Sequence, residues 1–263
     1  MKQSSFVAIL FFVALAAGIS IYEFVLGNPA NFLDYATKGT KHVPANLMGT
    51  TYVGGPLVAI LITISIMVIA VIIERALSLK KAQGKGPIPK FYKQVIDLVR
   101  ADQFEEAIAA CDKQRGSVAN VLKAAISRYK EVTSEKSTVD KEKQLVEVQR
   151  AVEETLMLET PLLEKNLIVL STIASIATMV GLLGTTIGMI RAFKALAQSG
   201  APDAISLATG ISEALINTAG GLFAAILGIV SYNFYVNKVD NFTFQIDEAN
   251  YNLMQLLKLK WGN

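Results

Sequence analysis

Four long apolar stretches constrain this chain more than any other feature, because each could cross a lipid bilayer as a helix. They are residues 6–22, 56–73, 166–190 and 204–237, which are 17, 18, 25 and 34 residues long. A helix rises about 1.5 Å per residue, so about 20 residues span the hydrocarbon core of a bilayer. The first stretch is therefore the weakest candidate, and the last two are long enough to cross even when tilted.

The composition excludes several classes of function. Only 18% of the residues are charged, where an average soluble domain has about 25%. One cysteine, Cys111, and one histidine, His42, cannot make an internal disulfide or a Cys/His metal site. Basic residues are interleaved with acidic ones, unlike the one-sided patch of a nucleic-acid-binding protein. No set of catalytic side chains can be assembled, so we expect no enzyme, no metal and no cofactor.

The charged residues are concentrated in one block, residues 80–165, which holds 30 of the 47 charges. This block opens with five lysines by position 93, whereas the loop before the second apolar stretch has only Lys38 and Lys41. Cytoplasmic loops of membrane proteins carry the excess of Lys and Arg. The block is therefore predicted to be cytoplasmic.

The predicted fold is an all-α integral membrane protein with three to four transmembrane helices and long helices that extend into the cytoplasm. The predicted segments are an N-terminal transmembrane helix or anchor (1–27), a periplasmic loop (28–55), a transmembrane helix (56–79), a cytoplasmic helical domain (80–165), a transmembrane helix (166–197), a periplasmic turn (198–203), a transmembrane helix (204–237) and a cytoplasmic tail (238–263). A cleavable signal peptide is the alternative for the first segment, since Ala14-Leu15-Ala16 fits a cleavage site.

Helical periodicity continues through the cytoplasmic block. Residues 88–99, 104–111 and 118–129 each show helical spacing of apolar positions. From Val139 to Ala197 the spacing predicts one amphipathic helix that runs into the third apolar stretch, with a kink at Pro161.

Small and polar residues line one face of each of the last two apolar stretches. Membrane helices use small residues for close approach and polar side chains for hydrogen bonds between helices. Such a face serves either helix packing or a pore, and the sequence leaves both interpretations open. The candidate residues are Thr178, Gly181, Gly184, Gly188, Asn217, Gly220 and Gly221.

Glu213 is the only charged residue within the four apolar stretches. An ionised acid in a membrane helix costs about 2.5–3.5 kcal/mol on insertion scales, so it is a candidate functional group by default. If the cost is uncompensated, the acid can load and release protons. Two alternatives are a neutral acid that only holds helices together and an acid hydrated at the outer surface.

The motif Gly181-Leu-Leu-Gly-Thr-Thr-Ile-Gly-Met, followed by Ile211-Ser-Glu-Ala-Leu-Ile-Asn-Thr-Ala-Gly-Gly, resembles the ExbB/TolQ/MotA proton-channel family, nearest to ExbB. The resemblance extends over about residues 145–242. It implies that Thr185 and Thr218 match the pore-lining threonines of the family and that Glu213 matches its intramembrane glutamate. The span before Pro56 is additional to the three spans usual in the family.

The resemblance also implies a function and partners. ExbB-like proteins form homopentamers in the bacterial inner membrane, contact membrane lipid and surround an ExbD-like single-span protein. Protons are the translocated ion, and the motion energises a TonB-like protein and outer-membrane import. A TolQ- or MotA-like stator of another envelope or gliding motor is an alternative, and so is a non-conducting membrane scaffold.

Overall fold

The computed structural model describes residues 3–35, 43–134, 141–197 and 204–262, and these residues form helices without any strand. The α-helices are α1 (Gln3–Ser20), α2 (Leu47–Val53), α3 (Leu57–Gln83), α4 (Ile88–Arg100), α5 (Phe104–Gln114), α6 (Ser117–Ser134), α7 (Lys141–Glu164), α8 (Leu167–Ala197) and α9 (Ala204–Gly262). A π-helical segment, Ile21–Leu26, follows α1 directly. The predicted all-α class is confirmed, while the predicted turn at 198–203 lies outside the described residues.

Four helical segments among the described residues are long and apolar enough to cross a membrane. They lie within Phe6–Leu26, Leu57–Arg100, Glu142–Ala197 and Ala204–Lys260. The count agrees with the prediction of three to four transmembrane helices. The segment near the N-terminus is included, although its apolar sequence is the shortest of the four.

The chain divides into two compact units. The apolar unit comprises Met1–Ile73 and Asn166–Asn233, and the charged unit comprises Glu74–Lys165 and Phe234–Asn263. The boundaries follow the sequence pattern, because the apolar unit takes in nearly all of the four apolar stretches and the charged unit contains nearly the whole charged block.

The charged unit has a hydrophobic core of its own. The amphipathic helices α4, α5 and α6 bury one face each, as their periodicity predicts, with Val95, Val121 and Ile126 completely buried. Ion pairs cover the opposite faces. Arg128 on α6 pairs with Glu131 at 3.1 Å and with Glu147 on α7 at 2.8 Å.

Arg75 is the one fully buried charged side chain among the described residues. Its Nε and Nη2 donate to the two carboxylate oxygens of Glu74 at 2.7 and 2.6 Å. Its Nη1 donates to the carbonyl of Leu163 at 3.2 Å. This carbonyl is one of the last in α7 and lacks a partner within its own helix. Arg75 therefore caps the end of α7 while its charge is balanced by Glu74.

The prediction of a single helix from Val139 to Ala197 is wrong at one point. Helix α7 ends at Glu164 and α8 begins at Leu167, with Asn166 between them at φ 64°. Asparagine is one of the few residues that adopts this left-handed conformation readily, and one such residue interrupts a helix. Pro161, where the kink was predicted, lies inside α7.

In the apolar unit, α1 packs closely on α3. A Cβ atom at Gly18 would collide with the Thr63 side chain and would lie 2.9 Å from the Ala59 carbonyl oxygen, so the contact requires glycine. Farther along, Tyr22 stacks on Tyr52 with ring centroids 4.6 Å apart. The additional N-terminal helix is thus an integral part of the apolar unit.

Candidate functional site

The site is built on a tight contact between α8 and α9 in which backbone meets backbone. A Cβ atom at Gly188 would lie 2.6 Å from the Ala214 nitrogen, and one at Gly210 would lie 2.7 Å from the Ala192 nitrogen. One at Gly221 would lie 2.7 Å from the Ala177 carbonyl oxygen. Small residues therefore set the distance between the helices, as is typical of helix pairs in membranes.

The predicted glycines divide between two contacts. Gly181, Gly184 and Gly221 lie in the α8–α9 contact, together with Gly188. Gly220 faces α3 instead, and a Cβ atom there would have only the Leu61 side chain as a neighbour, at 3.3 Å. Packing explains the four glycines of the α8–α9 contact without any further role.

The predicted threonines are less buried than the glycines of this contact, although the backbone of Thr218 takes part in it beside Gly181. Thr185 and Thr218 are half-buried, and Thr178 is exposed. Each hydroxyl donates a hydrogen bond to a carbonyl of its own helix. The distance from the Thr185 hydroxyl to the Leu182 carbonyl oxygen is 2.6 Å, and that from the Thr218 hydroxyl to the Ala214 carbonyl oxygen is 3.2 Å. The lone pairs of the hydroxyl oxygens remain available as acceptors.

Glu213 is buried and paired with an arginine of the neighbouring helix. Its side chain is 4% exposed, and Nη1 of Arg191 on α8 donates to its two oxygens at 2.6 and 2.8 Å. A cation at this distance offsets part of the cost of placing a carboxylate among apolar helices. The charge of Glu213 is therefore compensated by Arg191 in this structure.

The start of α3 closes the site on the other side of the carboxylate. Gly55 has a φ of 80°, and a Cβ atom there would lie 2.7 Å from Glu213 Oε1. Asn217, one turn after Glu213, donates through Nδ2 to the carbonyls of Gly54 at 2.7 Å and of Glu213 at 2.9 Å. Asn217 Oδ1 is buried without a hydrogen-bond partner in the structure. Helices α8 and α9 and the turn between α2 and α3 thus meet at Glu213 through polar groups.

The N-terminal helix also reaches this site. Tyr22, in the π-helical segment, interacts electrostatically with Glu213, Arg191 and Glu23. Its hydroxyl donates to the carbonyl of Tyr52 at 3.2 Å. The segment that is additional to the usual family pattern therefore shares a hydrophobic cluster with Ile216, three residues after Glu213, and Tyr22 adds to the electrostatic environment of this acid.

Glu213 and Thr218 face different neighbours. Glu213 faces Arg191 and Gly55, whereas the Thr218 backbone lies against Gly181 of α8, with its Cα 3.5 Å from a Cβ placed there. Helix α9 is continuous through both residues. The two residues therefore contact different parts of the apolar unit.

Arg191 was not predicted as a site residue, because in the sequence it only marks the end of the third apolar stretch. A partial signal was present, since Arg191 and Glu213 lie at similar distances from the predicted turn at 198–203, but this gives only the depth of the two residues and not the direction in which their side chains face. Residues placed in this way on antiparallel helices lie at the same depth. No sequence pattern predicted the roles of Gly54 and Tyr52, because their contacts depend on how the loop before α3 folds.

The arrangement combines an ion pair with hydroxyl acceptors, all on helices that are apolar enough to cross a membrane. Among the described residues, no group of three or more His, Cys, Asp or Glu could hold a metal ion. Such a site can stabilise charge or pass a proton along hydroxyls and water, since hydroxyl oxygens both donate and accept hydrogen bonds.

Comparison with known proteins gives a consistent result. The model of the MotA/TolQ/ExbB proton channel family matches residues 113–248, about half of the chain. A biopolymer transport protein ExbB from Pseudomonas putida is 37% identical over 89 residues, which are 34% of this chain and 27% of that protein. A Tol-Pal system protein TolQ from Pseudomonas aeruginosa is 40% identical over 95 residues, 36% of this chain and 41% of that protein.

A further ExbB, from Aquifex aeolicus, is 40% identical over 77 residues, 29% of this chain and 52% of that protein. The alignments with these three relatives thus span about a quarter to a half of the relatives' own length. Relatives named ExbB and relatives named TolQ match at similar identity.

Proposed function

Since the chain belongs to the MotA/TolQ/ExbB proton channel family, we propose that it is an ExbB-like subunit of a proton-driven motor in the bacterial inner membrane. In this proposal the charged unit is cytoplasmic, and the Glu213 end of the apolar unit faces the periplasm. The motor uses the proton motive force to energise TonB-dependent transport across the outer membrane.

The observation that carries this proposal is the buried Glu213–Arg191 pair on helices that could cross a membrane. Charged residues in membrane helices are rare, and they mark ion pathways more often than they serve packing. The glycine contacts alone would be enough to pack these helices, so the buried ion pair is the feature that favours an ion-conducting role over a scaffold.

The proton route in the proposal follows the threonines. The hydroxyls of Thr185 and Thr218 are half-buried and keep acceptor capacity, so they can solvate a proton without holding a permanent charge. Thr178 lies on the same side of α8, two turns from Thr185. Glu213 borders the route at one end and sets its electrostatic potential.

The partners in the proposal follow from the family resemblance. The chain forms a homopentamer whose α8 and α9 helices surround an ExbD-like single-span protein, and this assembly acts on a TonB-like protein. Exposed apolar side chains such as Leu182, Ile190 and Phe223 face lipid or neighbouring subunits.

A TolQ-like role in maintenance of the cell envelope is the second candidate, because a TolQ relative matches at 40% identity. Deletion of the gene distinguishes the two roles. An ExbB-like protein is required for energised uptake across the outer membrane, whereas loss of a TolQ-like protein makes the envelope leak periplasmic contents.

Valine substitutions test the proposed route in cells. Thr185→Val and Thr218→Val keep the shape of the side chain and remove the hydroxyl, so we expect the energised function to fall about tenfold or more. The matched control is Thr186→Val, since Thr186 is exposed and its hydroxyl donates to the Leu183 carbonyl in the same way. Full activity of Thr185→Val and Thr218→Val, with rings assembled, would exclude a role for these hydroxyls.

A further inference from the structure

The geometry of Arg191 is unusual for an arginine–carboxylate pair. One nitrogen, Nη1, donates to both oxygens of Glu213 at 2.6 and 2.8 Å, instead of the two-nitrogen fork that arginine forms most favourably. The Arg191 side chain is 55% exposed while that of Glu213 is 4% exposed. The acid is thus fixed inside the protein, and the base approaches it from the surface.

The surroundings hold the carboxylate in place. Gly55 leaves no room next to Oε1, and Asn217 ties the backbone at Glu213 to the start of α3. Tyr22 of the N-terminal segment, which carries no positive charge, adds to the electrostatic environment of the pair. Among the described residues, Arg191 is the only one that forms an ion pair with Glu213.

A buried carboxylate without a cation binds a proton tightly, and a proton held tightly cannot move on. A cation without its carboxylate repels protons from the same region. The pair avoids both effects, because its charges cancel.

From this we propose that Arg191 is a positioning residue which keeps Glu213 in a neutral ion pair, so that the pair neither traps nor repels the translocated proton. This inference rests on the proposed function and adds a residue to it that the family motif does not contain. In this account Glu213 acts by charge balance and does not itself carry the proton.

Paired variants test the inference in liposomes that contain the assembled complex. Arg191→Gln leaves a buried carboxyl group that holds its proton, and Glu213→Gln leaves a cation without its carboxylate, so we expect proton flux to fall about tenfold or more in each. The double variant R191Q/E213Q restores neutrality, and we expect flux within about threefold of wild type. Arg191→Lys keeps the positive charge and is expected to retain most of the flux.

The proton flux of the double variant tests the inference even if one of the single variants does not assemble. An assembled double variant with no more flux than Glu213→Gln would overturn the inference, and so would a double variant that does not assemble. Infrared spectroscopy adds a second readout, with a protonated carboxyl band expected in Arg191→Gln and absent from R191Q/E213Q. A wild-type complex without flux contradicts the proposed function itself, which is a different result.

Discussion

A carboxylate that is packed among membrane-spanning helices needs a compensating group, and at Glu213 that group is Arg191. The sequence alone singles out Glu213, because it is the only charge in four apolar stretches. It does not identify Arg191 as the partner, since 22 positions separate the two residues and the pairing depends on how α8 and α9 face each other. Single conspicuous residues were therefore predictable here, and their contacts were not.

The cysteine offers a test of the charged unit at the scale of one residue. Cys111 is 2% exposed, and burial raises the pKa of its thiol from 9.0 to about 12. The reactive thiolate is thus about a thousandfold scarcer at neutral pH than for an ordinary thiol. We expect maleimide to label Cys111 very slowly in the native protein and rapidly after denaturation.

A cysteine introduced at an exposed position of the same helix provides the control for this experiment. Lys113 is exposed two residues away, so Lys113→Cys in a Cys111→Ala background is expected to react rapidly in the native protein. Equal rates at the two positions would show that α5 does not bury Cys111 as described.

At the scale of helices, the α8–α9 contact depends on glycine. A methyl group at Gly188 would lie 2.6 Å from the Ala214 nitrogen and 2.7 Å from the Gly210 carbonyl oxygen, and backbone cannot move aside locally. We expect Gly188→Ala to destabilise the protein by about 1–3 kcal/mol. Thermal unfolding in detergent measures this as a lower midpoint.

Gly220→Ala is the matched control, because its methyl group would meet only the end of the Leu61 side chain at 3.3 Å. We expect its midpoint to stay close to that of the wild type. If Gly188→Ala were as stable as Gly220→Ala, the close approach of α8 and α9 would be disproved.

The helices themselves were predictable to different degrees. The amphipathic helices α4 to α6 follow from their periodicity, since apolar residues recur on the face that becomes buried. The interruption between α7 and α8 was not predictable, because it depends on one left-handed residue, Asn166. The packed face of α8 contains Gly181, Gly184 and Gly188, which were candidates from the sequence, and also Ala177, which was not.

At the scale of the whole molecule, the composition predicted the division into an apolar and a charged unit, because charges are excluded from lipid and concentrate in the rest of the chain. The family could also be recognised, from the glycine–threonine motif and its distance to Glu213. The contribution of the N-terminal helix to the Glu213 site was not predictable, since no feature of residues 6–22 points to Tyr22 as a neighbour of this acid.

Proton flux is the central claim at this scale, and it can be measured directly. The chain, purified with the ExbD-like single-span protein that we propose as its partner, is placed in liposomes with a pH gradient and a pH-sensitive dye inside. We predict flux for the wild type and for Thr186→Val, and a loss of about tenfold or more for Thr185→Val and Thr218→Val. Absence of flux from the wild-type complex, or equal flux from all three variants, would contradict the assignment of this protein as a proton-conducting motor subunit.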